Sequence, residues 1–350
     1  MRRLVFLLWL IFSGVANVQA QSATAAEYLK SAKDFYNLGK VDSVIFYLES
    51  KDGEKYFEAL TSFEQSEWLR LLFASYISTD QYDKSQVPIK KFLRKNPFYE
   101  PTESDPLRLK YALDSMEVEP TLMIGIRFGA TRTLLQHLGS NRYVFERDFA
   151  ENKSKEHNDS YGYLFGVQFE YNFSRILSVN FAPTFEKYHY DYRMSVSTNN
   201  PNDLGVLRTR ANQDLFYITL PVLLRARMNF KDAKIYGQAG FFTSSLSSAL
   251  RTLTVSSSIL VLDTETSKNF HATNSGYIVG VGAMLRRRKI TFNADLRFCS
   301  GFGNIIARPN YYETLAMDYY DIPDDIRLRG LELSFGLFYN FKYKVYDKKK

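Results

Sequence analysis

The chain has 350 residues, a formal net charge of +7, and a composition of 45% apolar, 24% charged and 16% aromatic residues, with 25 tyrosines and 28 phenylalanines. So aromatic a chain is not disordered. The lone cysteine, Cys299, excludes a disulfide framework, a CxxC redox pair and a cysteine-built zinc site, and the four scattered histidines (His137, His157, His189, His271) argue against a metal centre. No cofactor is expected.

Arg2 and Arg3 precede an unbroken apolar run from Leu4 to Phe12, and Val18-Gln19-Ala20 supplies small residues at a cleavage position. Residues 1–20 therefore read as a secretory leader. The run falls short of the roughly 20 residues a spanning helix needs. Its removal takes two arginines and leaves a net charge of +5. Basic residues are dispersed apart from Arg286-Arg287-Arg288-Lys289 and Lys348-Lys349-Lys350. An exported chain seldom meets nucleic acid, and none is expected as a partner.

Residues 21–118 carry helical periodicity. Ala25, Leu29, Ala32 and Phe35/Tyr36 line one helix that Gly39 ends, and Val41, Val44, Ile45 and Leu48 line a second. Ser62 and Gln65 form a capping box for a third helix, striped by Leu69, Leu72, Phe73 and Tyr76. A fourth runs from about Asp83 to Lys95 and stops at Asn96-Pro97. The stretch from Trp68 to Pro97, with its turn at Asp80-Gln81-Tyr82, resembles one tetratricopeptide repeat, and Tyr36 to Asp42 looks like the same turn in an earlier copy. The stripes alone fit a small helical bundle equally well. Four prolines (Pro97, Pro101, Pro106, Pro120) then surround one short helix, Leu107 to Met116.

After Pro120 the apolar period falls from 3.6 to 2. Eight segments alternate. They are centred on Leu122–Thr131, Tyr161–Asn172, Leu177–Glu186, Phe216–Arg227, Lys234–Leu246, Tyr277–Arg286, Ile290–Cys299 and Leu331–Phe341. The fifth is glycine-rich and its inward face is ambiguous. The connections after the second, fourth and sixth segments are three to five residues long. The others (Thr133–Ser160, Met194–Asp214, Ser247–Ser275, Asn304–Asp325) are roughly twenty or more. Short and long connections alternating on an even number of strands of about ten residues mark an outer-membrane barrel. The expected fold is therefore α+β multidomain: a tetratricopeptide-like helical bundle, then an eight-stranded antiparallel transmembrane β-barrel over residues 119–350. Short turns and both barrel ends would face the periplasm. A soluble lipocalin-like barrel is the competing architecture, with the apolar face inside.

The polar faces carry Arg127, Glu170, Glu186, Arg225, Arg227, Asp295, Arg297 and Glu332, four charges of each sign. Buried together they would pair, fill the lumen and leave no channel. Tyr217-Ile218-Thr219-Leu220-Pro221-Val222-Leu223-Leu224 resembles the fourth strand of PorT-like outer-membrane barrels. Lys234 to Gly240, Gly280-Val281-Gly282 and Asp295 to Phe298 look like its later strands. The likeness covers about residues 120–344. It implies an outer-membrane barrel, in a family whose named member is associated with a protein-secretion apparatus. The chain departs from the usual pattern in its tail. Phe341 is followed by nine residues, so the assembly aromatic would be Phe341, Tyr343 or Tyr346.

Catalytic signals are sparse. His189 and Ser195 fall near the outer end of the third segment and His271 in a long connection, with no partner acid marked. Gly280-Val281-Gly282 precedes no helix and is a strand feature. Asp318, Asp321, Asp324 and Asp325, among Tyr311, Tyr312, Tyr319 and Tyr320, match no calcium loop. The sequence points to a non-enzymatic barrel in contact with outer-membrane lipid, holding a helical domain that binds a periplasmic or envelope protein. Alternatives are a lipid-modifying enzyme with a rim site, or surface recognition through the long loops.

Overall fold

The computed structural model describes residues 24–103, 105–139, 153–197, 206–230, 233–255, 260–307 and 325–348. The chain divides into two compact units: 1–120 together with Lys342–Lys350, and Thr121–Phe341. The sequence alone assigns residues 342–350 to the barrel. The structure groups them with the helices.

Six helices are described in the first unit: α1 (24–37), α2 (Val41–Leu48), α3 (Lys51–Ala59), α4 (Ser62–Ser78), α5 (Tyr82–Lys95) and α6 (Leu107–Asp114). Helices α1 and α4 end in the same way. Gly39 (φ +72°) and Asp80 (φ +59°) adopt the left-handed conformation. The next N–H then reaches back five residues, Lys40 to the Phe35 carbonyl at 3.0 Å and Gln81 to the Tyr76 carbonyl at 2.8 Å. This is the double closure of a Schellman turn, because Gly39 and Asp80 also donate to Tyr36 and Ile77. The capping box of α4 lies one residue earlier than the sequence suggested: Thr61 caps, and Glu64 reaches back to the Thr61 N–H at 2.9 Å. Helix α3 was not foreseen. Ser50 caps it, and Gly53 is required there because a Cβ would strike the Leu48 carbonyl.

Two cores fill this unit. One gathers Ala25, Leu29, Ala32, Val44, Leu48 and Trp68, with Tyr28 stacked on Tyr47 at 3.9 Å between centroids. The other joins α4, α5 and α6 through Phe73, Ile89, Phe92, Leu109 and Leu113, and it includes Val345 from the C-terminal tail.

The strands are β1 (Met116–Gly139), β2 (Lys153–Asn172), β3 (Leu177–Phe181), β4 (Thr184–Ser197), β5 (Val206–Phe230), β6 (Ala233–Val255), β7 (Leu260–Glu265), β8 (Thr273–Arg287), β9 (Ile290–Gly301) and β10 (Asp325–Asp347). They form one antiparallel sheet in which β1 pairs with β10 and β5 with β6, so the sheet closes on itself. Strands β3 and β4 occupy one place in the wall, separated at Ala182-Pro183, where both pair with β2 and β5. Strand β7 adds to the loop end of β6. Eight places therefore surround the barrel.

The strands are longer than their alternating cores. The β4–β5 ladder runs on from Tyr190↔Gln213 to Ser197↔Val206, within what the sequence reading took for a loop. The β8–β9 turn is tight, with Arg287 opposite Ile290 and Arg288 at φ +51°.

Orientation is decided by exposure. Ile126, Phe128, Tyr163, Phe165, Val167, Ile218, Leu220, Val222, Val281, Leu333 and Phe335 all face out, while Gln168, Glu170, Arg225, Asn293 and Asp295 are buried within. An apolar exterior over a charged interior is the reverse of a water-soluble barrel and suits a hydrocarbon surround. In the glycine-rich β6, Tyr236, Gln238, Phe242 and Ser244 point inward. Among the described residues, no helix is long and apolar enough to cross a membrane.

Candidate functional site: a two-layered barrel lumen

Period-two alternation delivers every second side chain of the eight wall positions into a space that eight strands make just wide enough for side chains. All eight charged residues named from the sequence are there, each 5% exposed or less. Arg225 sits at the centre. Its Nη1 lies 2.5 Å from Glu170 Oε2, its Nη2 3.5 Å from Asp295, and its Nε donates to Gln238 Oε1 at 3.0 Å. The guanidinium also covers the Tyr236 ring at 4.7 Å. Arg227 reaches Glu170 at 3.8 Å and donates to Asn172. Arg297 pairs with Asp295 at 3.3 Å, and Arg127 with Glu332 at 3.1 Å.

Glu186 differs from the other seven. It accepts hydroxyl bonds from Thr219 (2.8 Å) and Tyr188 (3.0 Å). Asp295 is the most heavily solvated by protein: Tyr236 Oη (2.6 Å), Gln238 (2.7 Å) and Asn293 (2.8 Å) all donate to it. Ion pairing and donated hydrogen bonds allow charges to persist at such burial, although Arg297 Nε and Nη1 and Arg127 Nε make no hydrogen bond among the described residues. Cys299 belongs to this layer, its thiol 2.9 Å from Glu332.

Toward the long-loop end the lining changes character. Tyr188, Tyr190, Tyr192, Leu215, Tyr217, Ile326 and Leu328 turn inward and meet Phe270, Ile305 and Ile306, which arrive from connections between strands. Backbone bonds fix these segments: His271 N–H to the Ile305 carbonyl (2.8 Å), Ile305 N–H to Ile326 (3.0 Å) and Ala307 N–H to Asn269 (2.8 Å). Asn304 adds a bond to Asp325 at 2.7 Å. Among the described residues, an apolar cap thus lies over a polar network, and side chains occupy the lumen at both levels.

The family model for the outer membrane protein beta-barrel domain matches residues 114–307, more than half of the chain. The chain belongs to that family. Outer-membrane residence follows from membership in this barrel family, in agreement with the apolar exterior. A search of curated protein sequences gives no match. Among solved structures, the barrel is similar to the attachment invasion locus protein Ail of Yersinia pestis (10% identity, 62% of this chain and 98% of that one, TM-score 0.27). It is also similar to OprG of Pseudomonas aeruginosa (12%, 65% and 96%, TM-score 0.29) and to the outer membrane protease OmpT of Escherichia coli (10%, 64% and 98%, TM-score 0.31). At these scores, what those proteins do stays with those proteins.

On the outside of this outer-membrane barrel, His189 has a partner that the sequence did not reveal. Its Nδ1 lies 2.5 Å from Asp214 Oδ1, and Lys187 holds the other oxygen at 2.9 Å. The β4–β5 register sets His189 directly opposite Asp214. Parity places all three on the outward face, with Lys187 over the Phe216 ring at 5.6 Å. Ser195 lies six residues further along β4, opposite Arg208. His271 sits beside the lumen cap through its backbone. Asp318, Asp321, Asp324 and the neighbouring tyrosines lie outside the described residues, whereas Asp325 binds Asn304. Among the described residues, no group of three His, Cys, Asp or Glu side chains is placed to hold a metal ion.

Proposed function

We propose that this outer-membrane barrel is a non-enzymatic, non-conducting anchor for a protein-binding helical unit on the periplasmic side, used in envelope assembly or protein secretion. The observation that carries the reading is the filled lumen. Arg225, Glu170 and Asp295 pack across one level and Phe270, Ile305 and Ile306 across the next, which speaks against a pore among the described residues. Eight wall places bring both barrel ends to one side, and short turns characteristically face the periplasm. The helical unit displays large apolar side chains, Phe46 (82% exposed), Phe63 (73%) and Tyr111 (68%) among them, as an interaction module does. Its paired Schellman turns favour a tetratricopeptide-like ancestry and, with the strand motifs, a PorT-like role.

The test is reversible cross-linking in cells followed by affinity capture of the full chain and of a chain lacking residues 24–95. A specific envelope protein recovered only with the helices supports the proposal. Identical recoveries refute it, and steady conductance in planar bilayers refutes its non-conducting half. A second reading, a rim enzyme acting on lipid, rests on the His189–Asp214 contact alone. Unchanged lipid composition in His189→Ala cells removes it.

A further inference from the structure

Within the helical unit a groove of about 900 Å³ runs over α4, bordered by α3 and the end of α2 on one side and by α5 on the other. Its floor is aromatic and aliphatic: Phe57, Trp68, Leu69, Leu72 and Tyr76. The two walls have opposite charge. Glu49, Glu54 and Glu58 stand on the α2–α3 side, the last two one helical turn apart, while Lys84 and Lys91 stand two turns apart on α5.

Two further features mark the basic wall. Val87 lies between the lysines and is 60% exposed, an apolar side chain held in water at the lip. Pro88, inside α5, has no N–H to give the Lys84 carbonyl, and both residues line the groove. On the acidic side, the Tyr76 hydroxyl donates to Glu49, which fixes that carboxylate at the floor's edge.

Resting on the reading of the helical unit as a docking module, we propose that this groove binds an amphipathic protein segment of dipolar type. Its apolar stripe seats on Val87 and the half-buried Phe57 and Leu72, directly over the buried Trp68, its cationic edge faces Glu54 and Glu58, and its anionic edge faces Lys84 and Lys91. Charge complementarity selects this occupant. A uniformly basic or uniformly acidic segment satisfies one wall and is repelled by the other. A wholly apolar segment leaves five charged groups desolvated without partners.

Trp68 supplies the readout. The chain has two tryptophans, Trp9 in the leader-like segment and Trp68 in the floor, so the protein matured in the outer membrane reports through the second. That protein, in lipid nanodiscs, is titrated with three designed peptides sharing one apolar stripe: dipolar, all-lysine-edged and all-glutamate-edged. The dipolar peptide is expected to change Trp68 emission saturably and to bind about tenfold more tightly than either uniform peptide. Val87→Asp should weaken it about tenfold, and Glu54→Lys with Glu58→Lys should transfer the preference to the glutamate-edged peptide. Equal affinities for the three peptides, or a preference the double reversal leaves in place, overturns the inference.

A photoreactive residue at position 87, and separately at 46 and 111, distinguishes the levels. Cross-links to an envelope protein from 87 support the groove. Cross-links from 46 or 111 alone overturn the groove and leave the docking module standing. None from any position overturns both.

Discussion

The lumen network makes its sharpest prediction at Arg225. Replacing it with leucine removes the 2.5 Å pair with Glu170, the 3.5 Å pair with Asp295, the bond to Gln238 and the stacking on Tyr236. Asp295 keeps Arg297, Tyr236 and Asn293. Glu170 is left with Ser178 at 2.8 Å and Arg227 at 3.8 Å, and it is fully buried. A buried carboxylate that loses its main partner costs about 3–5 kcal/mol, mostly from the stranded charge and not from the lost attraction. Arg225→Leu should therefore lower barrel stability by about that much in urea titrations of the protein folded into lipid vesicles. Adding Glu170→Gln removes the stranded charge and should restore at least half, a coupling of about 2 kcal/mol between the two sites. Boiling-dependent gel mobility should confirm that each variant still forms the barrel. A single-variant loss below about 1 kcal/mol, or a double variant whose cost is the sum of the two singles, would refute the stranded-charge account.

Asp105 is buried, which opposes its charge, yet bonds from the Thr102 N–H, Arg70, Thr102 Oγ1 and Tyr99 hold its carboxyl at about 2. That stabilisation is present above the ordinary carboxylate range and is lost as pH falls from about 4 through 2. Its size is about 2 kcal/mol at most, because solvent reaches the half-exposed Arg70. Asp105→Asn should abolish the dependence, read by helical circular dichroism against pH, and an unchanged profile would contradict it. Asp80→Gly relieves a non-glycine left-handed residue and should raise the stability of the helical unit by about 1 kcal/mol; a loss would mean that the Asp80–Arg108 contact at 2.6 Å outweighs the backbone strain. Val345→Asp places a carboxylate among Leu109, Leu113 and Met116 and should open the helical unit to protease while barrel heat-modifiability persists. In planar bilayers, the wild-type chain and the Phe270→Ala variant should both lack steady conductance, because the charged layer remains beneath the cap. A channel in the variant alone would show that the cap is the only seal.

Period-two parity told which side chains turn inward, because a strand offers only two choices and one face is strongly apolar. It failed at β6, where Tyr236 and Phe242 on the inner face are as aromatic as Phe241 on the outer and glycines dilute both. The strand ends escape the pattern for a related reason. Beyond Tyr190 the outward face turns polar, with Asp191, Arg193, Arg210 and Asn212, while Tyr192 and Ala211 stay inside, so the apolar exterior stripe ends while the hydrogen bonds continue. The His189–Asp214 pair is invisible at a separation of 25 residues until register is known. Phe270, Ile305 and Ile306 lie in connections, which sequence reasoning sends outside; here their backbone bonds to one another and to β10 bring them over the lumen. Helix α3 carries five charges and a glycine among its nine residues, too weak a stripe to read. Its placement depends on packing against neighbours.

The tail shows how the chain's two units share its last strand. Phe341 is the final outward-facing aromatic of the barrel and is half exposed, as a lipid-facing ring should be. Of the other candidates for a terminal aromatic, Tyr343 packs edge-on against Phe98 and Tyr346 lies under Lys344 at 5.3 Å. Val345 fills the α4–α6 core, Lys90 pairs with Asp347 at 2.8 Å, and the Lys348 N–H closes onto the Ser115 carbonyl at 2.7 Å. Residues 342–348, which look like a surplus after a barrel, are thus a structural part of the helical unit. A chain whose C-terminus is built into its N-terminal unit completes that unit's core only once β10 has been made. The same strand that supplies Val345 to the helical core also pairs with β1.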